Sequence, residues 1–240
     1  QWSFTELSDV VASPGTVAAF LLIFGGIAAK SAQWPLHFWL PGAMAAPTPI
    51  SAYLHSAAMV KAGIYLLARL WPDLAEFDVW PWIVVGFGSV TMVLGAWIAL
   101  QRDILKQILA YTTVSQLGLL ACAFGLSHFI YKGEANIVWG NAQILNHALY
   151  KASLFILAGA VTHALGIKAL SGLRGAWHAG GERKLFAVLF LLAMIALAAL
   201  PGTFSFFAKE AFLYQIWHGF KETKSPLMIA LLVGTVFVSV

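Results

Sequence analysis

The chain has 240 residues, of which 60% are hydrophobic and only 10% charged, and its formal net charge is +4. Soluble domains carry about 25% charged residues, so this chain cannot cover a water-facing globule, and its excess apolar surface has to meet lipid. The small positive charge comes without a basic groove interleaved with aromatics, which argues against a nucleic-acid partner, and the single cysteine, Cys122, has no second thiol for an internal disulfide.

A spanning helix needs about 20 mostly apolar residues, and six or seven segments approach this. After a lead-in at 1–14, the first covers roughly 15–33. Residues 34–48 carry Pro35, Pro41 and Pro47 and hold no regular transmembrane helix. Trp34, Phe38, Trp39 and Leu40 still favour burial there, so a short or broken helix is expected. The second segment covers roughly 49–71 and is followed by a loop with Asp73, Glu76 and Asp78. The third covers 80–100, the fourth 104–128 and the fifth 136–165. The sixth, 185–217, is too long for one straight crossing, and Pro201-Gly202 in its middle should break it. A seventh begins near Pro226. The chain opens at Gln1 and stops at Val240 inside an apolar run, and is expected to be an internal piece of a longer polypeptide. Many of its 10 Trp, 17 Phe and 6 Tyr stand near the ends of apolar runs, where amphipathic rings settle at the headgroup level.

Broken helices at membrane depth are tolerated where protein or a water-filled cavity takes up the freed backbone groups. Two interruptions, after Lys30 and at Pro201, therefore predict an internal polar path of the kind transporters build from discontinuous helices; packing kinks are the alternative. Arg102, Lys106, Lys168, Arg174, Arg183 and Lys184 fall on one side, against Arg69, Lys132, Lys221 and Lys224 on the other. The positive-inside rule puts the first side, with 34–48, in the cytoplasm.

The ionisable residues inside these helices carry the functional reading. A charge at the bilayer centre costs about 2.5–3.5 kcal/mol on insertion scales, and such residues usually mark ion paths. Lys30 ends the first segment. His55 and Lys61 lie in the second. Gln143, His147 and Lys151 follow at i, i+4 and i+8 and form one polar stripe on the fifth. Lys209 and Glu210 follow the break in the sixth, and Lys106 sits near a membrane face beside Arg102 and Asp103. Each has a structural alternative. Lys30 could snorkel, His55 could be a packing histidine, the stripe could be interhelical glue, and Lys209 could pair with Glu210, although adjacent residues on a helix do not face one another. Together they favour protons. Burial disfavours the charged form of an amine, histidine titrates near neutrality, and Thr112, Thr113, Ser115 and Ser153 offer bridging hydroxyls. The set is short of acids, so a carboxylate partner is expected outside this stretch. No metal-ligand spacing, phosphate loop or Ser-His-Asp arrangement stands out. No cofactor of its own and no chemical catalysis are expected.

The stretch from Lys30 through His55 to Arg69 resembles the core of the antiporter-like subunits shared by respiratory complex I and the Mrp-type multisubunit Na⁺/H⁺ antiporters. Lys106–Gly118, Asn146–Lys151 and Phe206–Glu210 agree, and the resemblance covers essentially the whole chain. Ser51–Ser56 and Asn146–Phe155 look closest to the large Mrp A-type subunit. The resemblance implies an all-α polytopic membrane protein, with about seven transmembrane segments and two broken helices in an inverted-repeat architecture. Residues 15–100 would close the first repeat region, and 101–240 would form most of the second.

It also implies roles. Lys30 matches the lysine of the first broken helix, paired with a glutamate on an earlier helix. His55 matches a bridging histidine, His147 and Lys151 the centre of the path, and Lys209 the exit-side lysine. Lys61, Gln143, Lys106 and Glu210 are possible supports. The family often has histidine where Gln143 stands, and Asp103 is one residue further from Lys106 than usual, so Asp103 receives no role. The implied function is proton translocation in a cation/proton antiporter, with other membrane subunits, lipid, protons and Na⁺ as partners, in the inner (plasma) membrane of a prokaryote. The alternatives are the same module in a redox-driven complex (NADH:quinone oxidoreductase or membrane-bound hydrogenase), where it would count as a translocase, and a scaffold without transport.

Overall fold

The computed structural model describes residues 14–74, 79–131, 137–173 and 181–223. Among them the regular structure is helical, apart from one isolated β-bridge between Ile104 and Ala169. The lead-in before residue 14, Glu76 and Asp78, and the segment beginning near Pro226 lie outside the described residues.

Helix α1 (Pro14–Lys30) starts on a proline, which the first turn tolerates because its N–H would be unpaired anyway. It ends where Ala32 turns left-handed at φ 49°, with Ser31 and Gln33 N–H groups returning to the Ile27 and Ala28 carbonyls at 2.8 and 2.9 Å. The proline-rich stretch that follows holds only α2 (Trp39–Gly42), a 3₁₀ turn (Ala43–Ala45) and α3 (Thr48–Ala52). Two of its donors find partners on neighbouring helices. The Trp34 N–H donates to Thr91 Oγ1 (2.9 Å) and the Trp39 indole to the Ala29 carbonyl (2.9 Å).

The second segment is not the continuous 49–71 helix expected. After α3 the chain winds one π-helical turn, Tyr53–Ala57, bends at Ala58 (φ −114°, ψ −73°) and resumes as α4 (Met59–Leu74). No proline or glycine stands at the bend. The widened turn is held by side chains: the Ser56 hydroxyl donates to the Ala52 carbonyl and the Lys61 ammonium to the Ser56 carbonyl. Such π-turns often mark functional positions.

Helices α5 (Val79–Leu100) and α6 (Leu105–Tyr131) form an antiparallel hairpin in which the backbones touch. A Cβ at Gly118 would lie 2.5 Å from the Met92 nitrogen and 2.6 Å from the Gly88 oxygen, and one at Gly95 would lie 2.7 Å from the Ser115 nitrogen. Glycine is required at these crossings, as at many close membrane-helix contacts. Helix α6 is the hub of the fold. In its spanning window 83% is buried, against 39–53% for the other three candidate spans. Apolar clusters join it to α1 and α4, to α5 and α9, and to α7 and α8.

Helix α7 (Ile137–Leu165) runs beside α6. The loop after it is stitched to the α5–α6 loop: Leu105 N–H donates to the Lys168 carbonyl (3.0 Å), Leu170 N–H to the Asp103 carbonyl (2.7 Å), and the Asp103 carboxylate accepts from the Ser171 N–H (2.9 Å) and hydroxyl (2.6 Å). The expected break at Pro201-Gly202 separates α8 (Gly181–Leu197) from α9 (Phe204–Thr223). Ala199 (φ 54°) and Gly202 (φ 94°) turn the chain, and Thr203 caps α9 by accepting from the Phe206 N–H at 3.2 Å. Among the described residues four stretches are long and apolar enough to cross a membrane: Thr48–Trp71, Val79–Leu100, Leu105–His128 and Gly140–Ala164. Two shorter apolar helices, Val17–Lys30 and Lys184–Leu197, accompany them.

Candidate functional site: a buried lysine and histidine cluster

Helix α7 presents Gln143, His147 and Lys151 on one face, four residues apart, and all three are buried. Lys151 is among the largest fully buried side chains. Its ammonium donates to the Thr112 hydroxyl (2.5 Å) and the Leu109 carbonyl (3.2 Å), both on α6. Thr112 in turn lies 2.9 Å from the Ile108 carbonyl, which can accept its proton.

His147, one turn before Lys151, is fully buried with its ring edge-on to Tyr150 at 5.5 Å. Neither of its ring nitrogens meets a protein hydrogen-bond partner. It lies within electrostatic reach of both Lys61 and Lys151. The fold therefore gathers three of the sequence candidates, two on α7 and one on α4. His55 lies in the π-turn, fully buried between the Trp39 ring (6.4 Å) and the Phe155 ring (5.9 Å), and its two nitrogens also lack a protein partner. Buried polar atoms in folded proteins are nearly always partnered by protein or water. His55 and His147 are thus two buried imidazoles whose ring nitrogens have no protein partner.

Gln143 does not point to another basic group. Its amide oxygen accepts from the Asn146 amide (3.2 Å), and the Asn146 oxygen accepts from the Ser205 hydroxyl (2.8 Å) at the start of α9. One turn along α9 stands Lys209, half-buried, and next to it Glu210, exposed. Lys106 is half-buried and donates to the Ala46 carbonyl (3.1 Å) of the broken segment. A groove of about 1410 Å³ runs from Lys106 and His163 to Ser56, the residue whose carbonyl Lys61 binds. A second cavity of about 500 Å³ shares Lys106 and is lined by Gln107 and Lys168. Lys30 stands exposed at the end of α1 and is not brought to the cluster.

Of the four hydroxyls read as possible bridges, Thr112 alone meets a candidate lysine. Thr113 and Ser115 donate to the Leu109 and Met92 carbonyls, and Ser153 is exposed. The sequence reading assigned no role to Asn146 or Ser205. The available signal was a polar residue beside His147 in an apolar helix, and a serine one turn before Lys209. Among the described residues no group of three or more His, Cys, Asp or Glu gathers as a metal site would require.

Comparison with known proteins places this architecture. The family described as "NADH:quinone oxidoreductase/Mrp antiporter, TM" matches residues 1–238. The chain is 44% identical over 198 residues to the A/B-type subunit of a probable K⁺/H⁺ antiporter of Rhizobium meliloti, covering 82% of this chain and 19% of that protein. It is 44% identical over 215 residues to the A-type subunit of the Na⁺/H⁺ antiporter of Alkalihalophilus pseudofirmus, covering 85% of this chain and 26% of that one. It superposes on a chain of the Mrp complex from Dietzia sp. DQ12-45-1b with a TM-score of 0.78 and 36% identity, over 98% of this chain and 25% of that one. The chain thus spans about a fifth to a quarter of the length of these relatives. With the family matched along nearly its whole length, this chain belongs to the family of transmembrane subunits shared by NADH:quinone oxidoreductases and Mrp antiporters.

Proposed function

We propose that this chain is the proton-carrying part of an A-type subunit in a multisubunit cation/proton antiporter of a prokaryotic inner membrane. The observation that carries the reading is the gathering of Lys61, His147 and Lys151 at membrane depth, each buried, with the His147 nitrogens free of protein partners. Like charges in a low-dielectric interior repel strongly. A proton arriving on one member therefore favours release from its neighbour, and this passes charge along the set. Lys151 hands on through the Thr112 hydroxyl or through His147, and Lys209 stands at the far side of the Gln143–Asn146–Ser205 bridge. The chain's own part is to hold and move protons, and chemical catalysis is not required of it.

The two curated relatives support this division of labour. Both are 44% identical to the chain, yet one is named for K⁺ and the other for Na⁺. The ion common to both names is the proton. The exposed Lys30 fits a charge that meets a glutamate from a preceding helix. In this reading the described helices belong to an architecture of about seven transmembrane segments. Residues 15–100 close one inverted repeat, and 101–240 form most of the next. The partners are the other subunits of the complex, with Na⁺ or K⁺ as the opposing cation.

The test uses the full-length subunit in its assembled complex, in everted vesicles. Lys209→Ala, and His147→Leu with Lys151→Met, should abolish cation/proton antiport while the complex still assembles. Unchanged ion flux in these variants would overturn the reading and leave a scaffold.

A further inference from the structure

Asn146 stands between two groups that the proton path uses. On α7 it is the residue before His147. Its amide oxygen accepts from the Ser205 hydroxyl at 2.8 Å, and its amide nitrogen donates to the Gln143 oxygen at 3.2 Å. All three side chains are at most 5% exposed. On α9, Ser205 precedes Lys209 by one helical turn and shares its face. The rest of the inward face of α9 is apolar: Phe212 and Ile216 pack against Val85, Met92, Leu119 and Cys122. Apolar packing is non-directional. It holds α9 against the hairpin without a directional bond of its own. A hydrogen bond at 2.8 Å is directional. It acts on the first turn of α9, directly after the break at Ala199 and Gly202 that ends α8.

We propose that Asn146 and Ser205 form a latch that sets the rotation of α9, and so the aim of Lys209 toward the His147–Lys151 face of α7. This deepens the proposed function and rests on it. Asn146 is a positioning residue. A carboxamide in this setting is a fixed donor and acceptor, with no proton to exchange near neutral pH. Gln143 is the back-stop of the latch, since it takes the amide N–H of Asn146 and so fixes which end of the amide faces Ser205.

The experiment measures antiport in vesicles by the assembled complex, normalised to complex content, for Asn146→Leu, Ser205→Ala, Ser205→Thr and the double variant. Asn146→Leu and Ser205→Ala should each slow turnover about tenfold or more, with the KM for the opposing cation unchanged. Both should show a larger slowing in D₂O than the native complex, because a misaimed Lys209 makes proton transfer limiting. Ser205→Thr, which keeps the hydroxyl, should restore turnover. The double variant should be no slower than either single one, as members of one bond behave non-additively. Native turnover in Asn146→Leu and Ser205→Ala would overturn the latch. So would a loss with no change in the D₂O effect, or a loss that Ser205→Thr fails to restore. If Asn146→Leu does not assemble, the Ser205 pair decides alone. Lys209→Ala separates the two levels of failure. Full antiport in Lys209→Ala refutes the proton-path reading of α9. A dead Lys209→Ala with native Ser205→Ala refutes the latch only.

Discussion

Lys151 donates a hydrogen bond across the α6–α7 interface to the hydroxyl of Thr112, at 2.5 Å. The same hydroxyl lies 2.9 Å from the Ile108 carbonyl, so it can accept from the ammonium while donating to its own helix. The ammonium on α7 is thus tied to α6, the most enclosed of the four candidate spans among the described residues. The contact fixes where the charge sits.

Thr112→Val keeps the side-chain volume and removes this acceptor. Lys151 is left with the Leu109 carbonyl alone, and an unmet buried donor costs about 1–3 kcal/mol. Antiport by the assembled complex should fall about tenfold, the kinetic equivalent of about 1.4 kcal/mol, while Thr112→Ser should stay near native. Equal rates in the valine and threonine proteins would show that the contact is idle.

Lys61 separates a structural role from a transport role. Its ammonium donates to the Ser56 carbonyl freed by the π-turn, which favours a purely structural pin. Lys61→Met loses that charge-assisted bond, worth about 1.5–3 kcal/mol, and relieves a buried charge costing about 2.5–3.5 kcal/mol in a membrane. Relief of the charge at least offsets loss of the bond. The variant complex should therefore melt no lower than the native one and yet lose antiport. A lower melting temperature with antiport retained would make Lys61 a pin and nothing more.

Glycines give a sharp contrast. At Gly118 a new Cβ would stand 2.5 Å from the Met92 nitrogen and 2.6 Å from the Gly88 oxygen, both backbone atoms that cannot give way. Gly118→Ala should push α5 from α6 and abolish assembly, seen as loss of the complex on native gels. At Gly25 nothing among the described residues lies within 4 Å. Gly25→Ala should assemble normally, with up to about 1 kcal/mol gained from helix propensity.

The loop staple is a milder case. Ser171→Ala removes the hydroxyl bond to Asp103 (2.6 Å) but keeps the backbone one (2.9 Å), on an exposed surface. The expected cost is about 0.5–1 kcal/mol, a small drop in melting temperature with antiport unchanged. A transport defect here would link Asp103, given no role from sequence, to the path through neighbouring Lys106.

The breaks show where legibility ended. Those after Lys30 and at Pro201-Gly202 were readable because proline and positive-φ glycine act locally. The break at Tyr53–Ala58 was not, since Tyr53-Leu54-His55-Ser56-Ala57 reads as ordinary helix. It exists because the Ser56 hydroxyl and the Lys61 ammonium, three and eight residues beyond Tyr53, close its carbonyls. The stripe Gln143, His147, Lys151 was likewise visible from spacing alone, but its division was not. Lys151 turns to α6, Gln143 turns through Asn146 to α9, and His147 keeps its nitrogens free.

The sequence by itself determined that apolar helices here carry lysines and histidines where lipid would reject them, because hydropathy and helical period are properties of the chain alone. It determined two of the breaks and the polar stripe for the same reason. The tertiary structure decided which of those groups meet. It brought Lys61 of α4 within electrostatic reach of His147 of α7, gave Lys151 to Thr112, left Lys30 exposed and Glu210 on the outside, and joined Asn146 to Ser205. These pairings span 39 to 86 residues of chain. They depend on how far glycine lets α5 approach α6 and on how α9 leaves its break, and no local pattern encodes such distances.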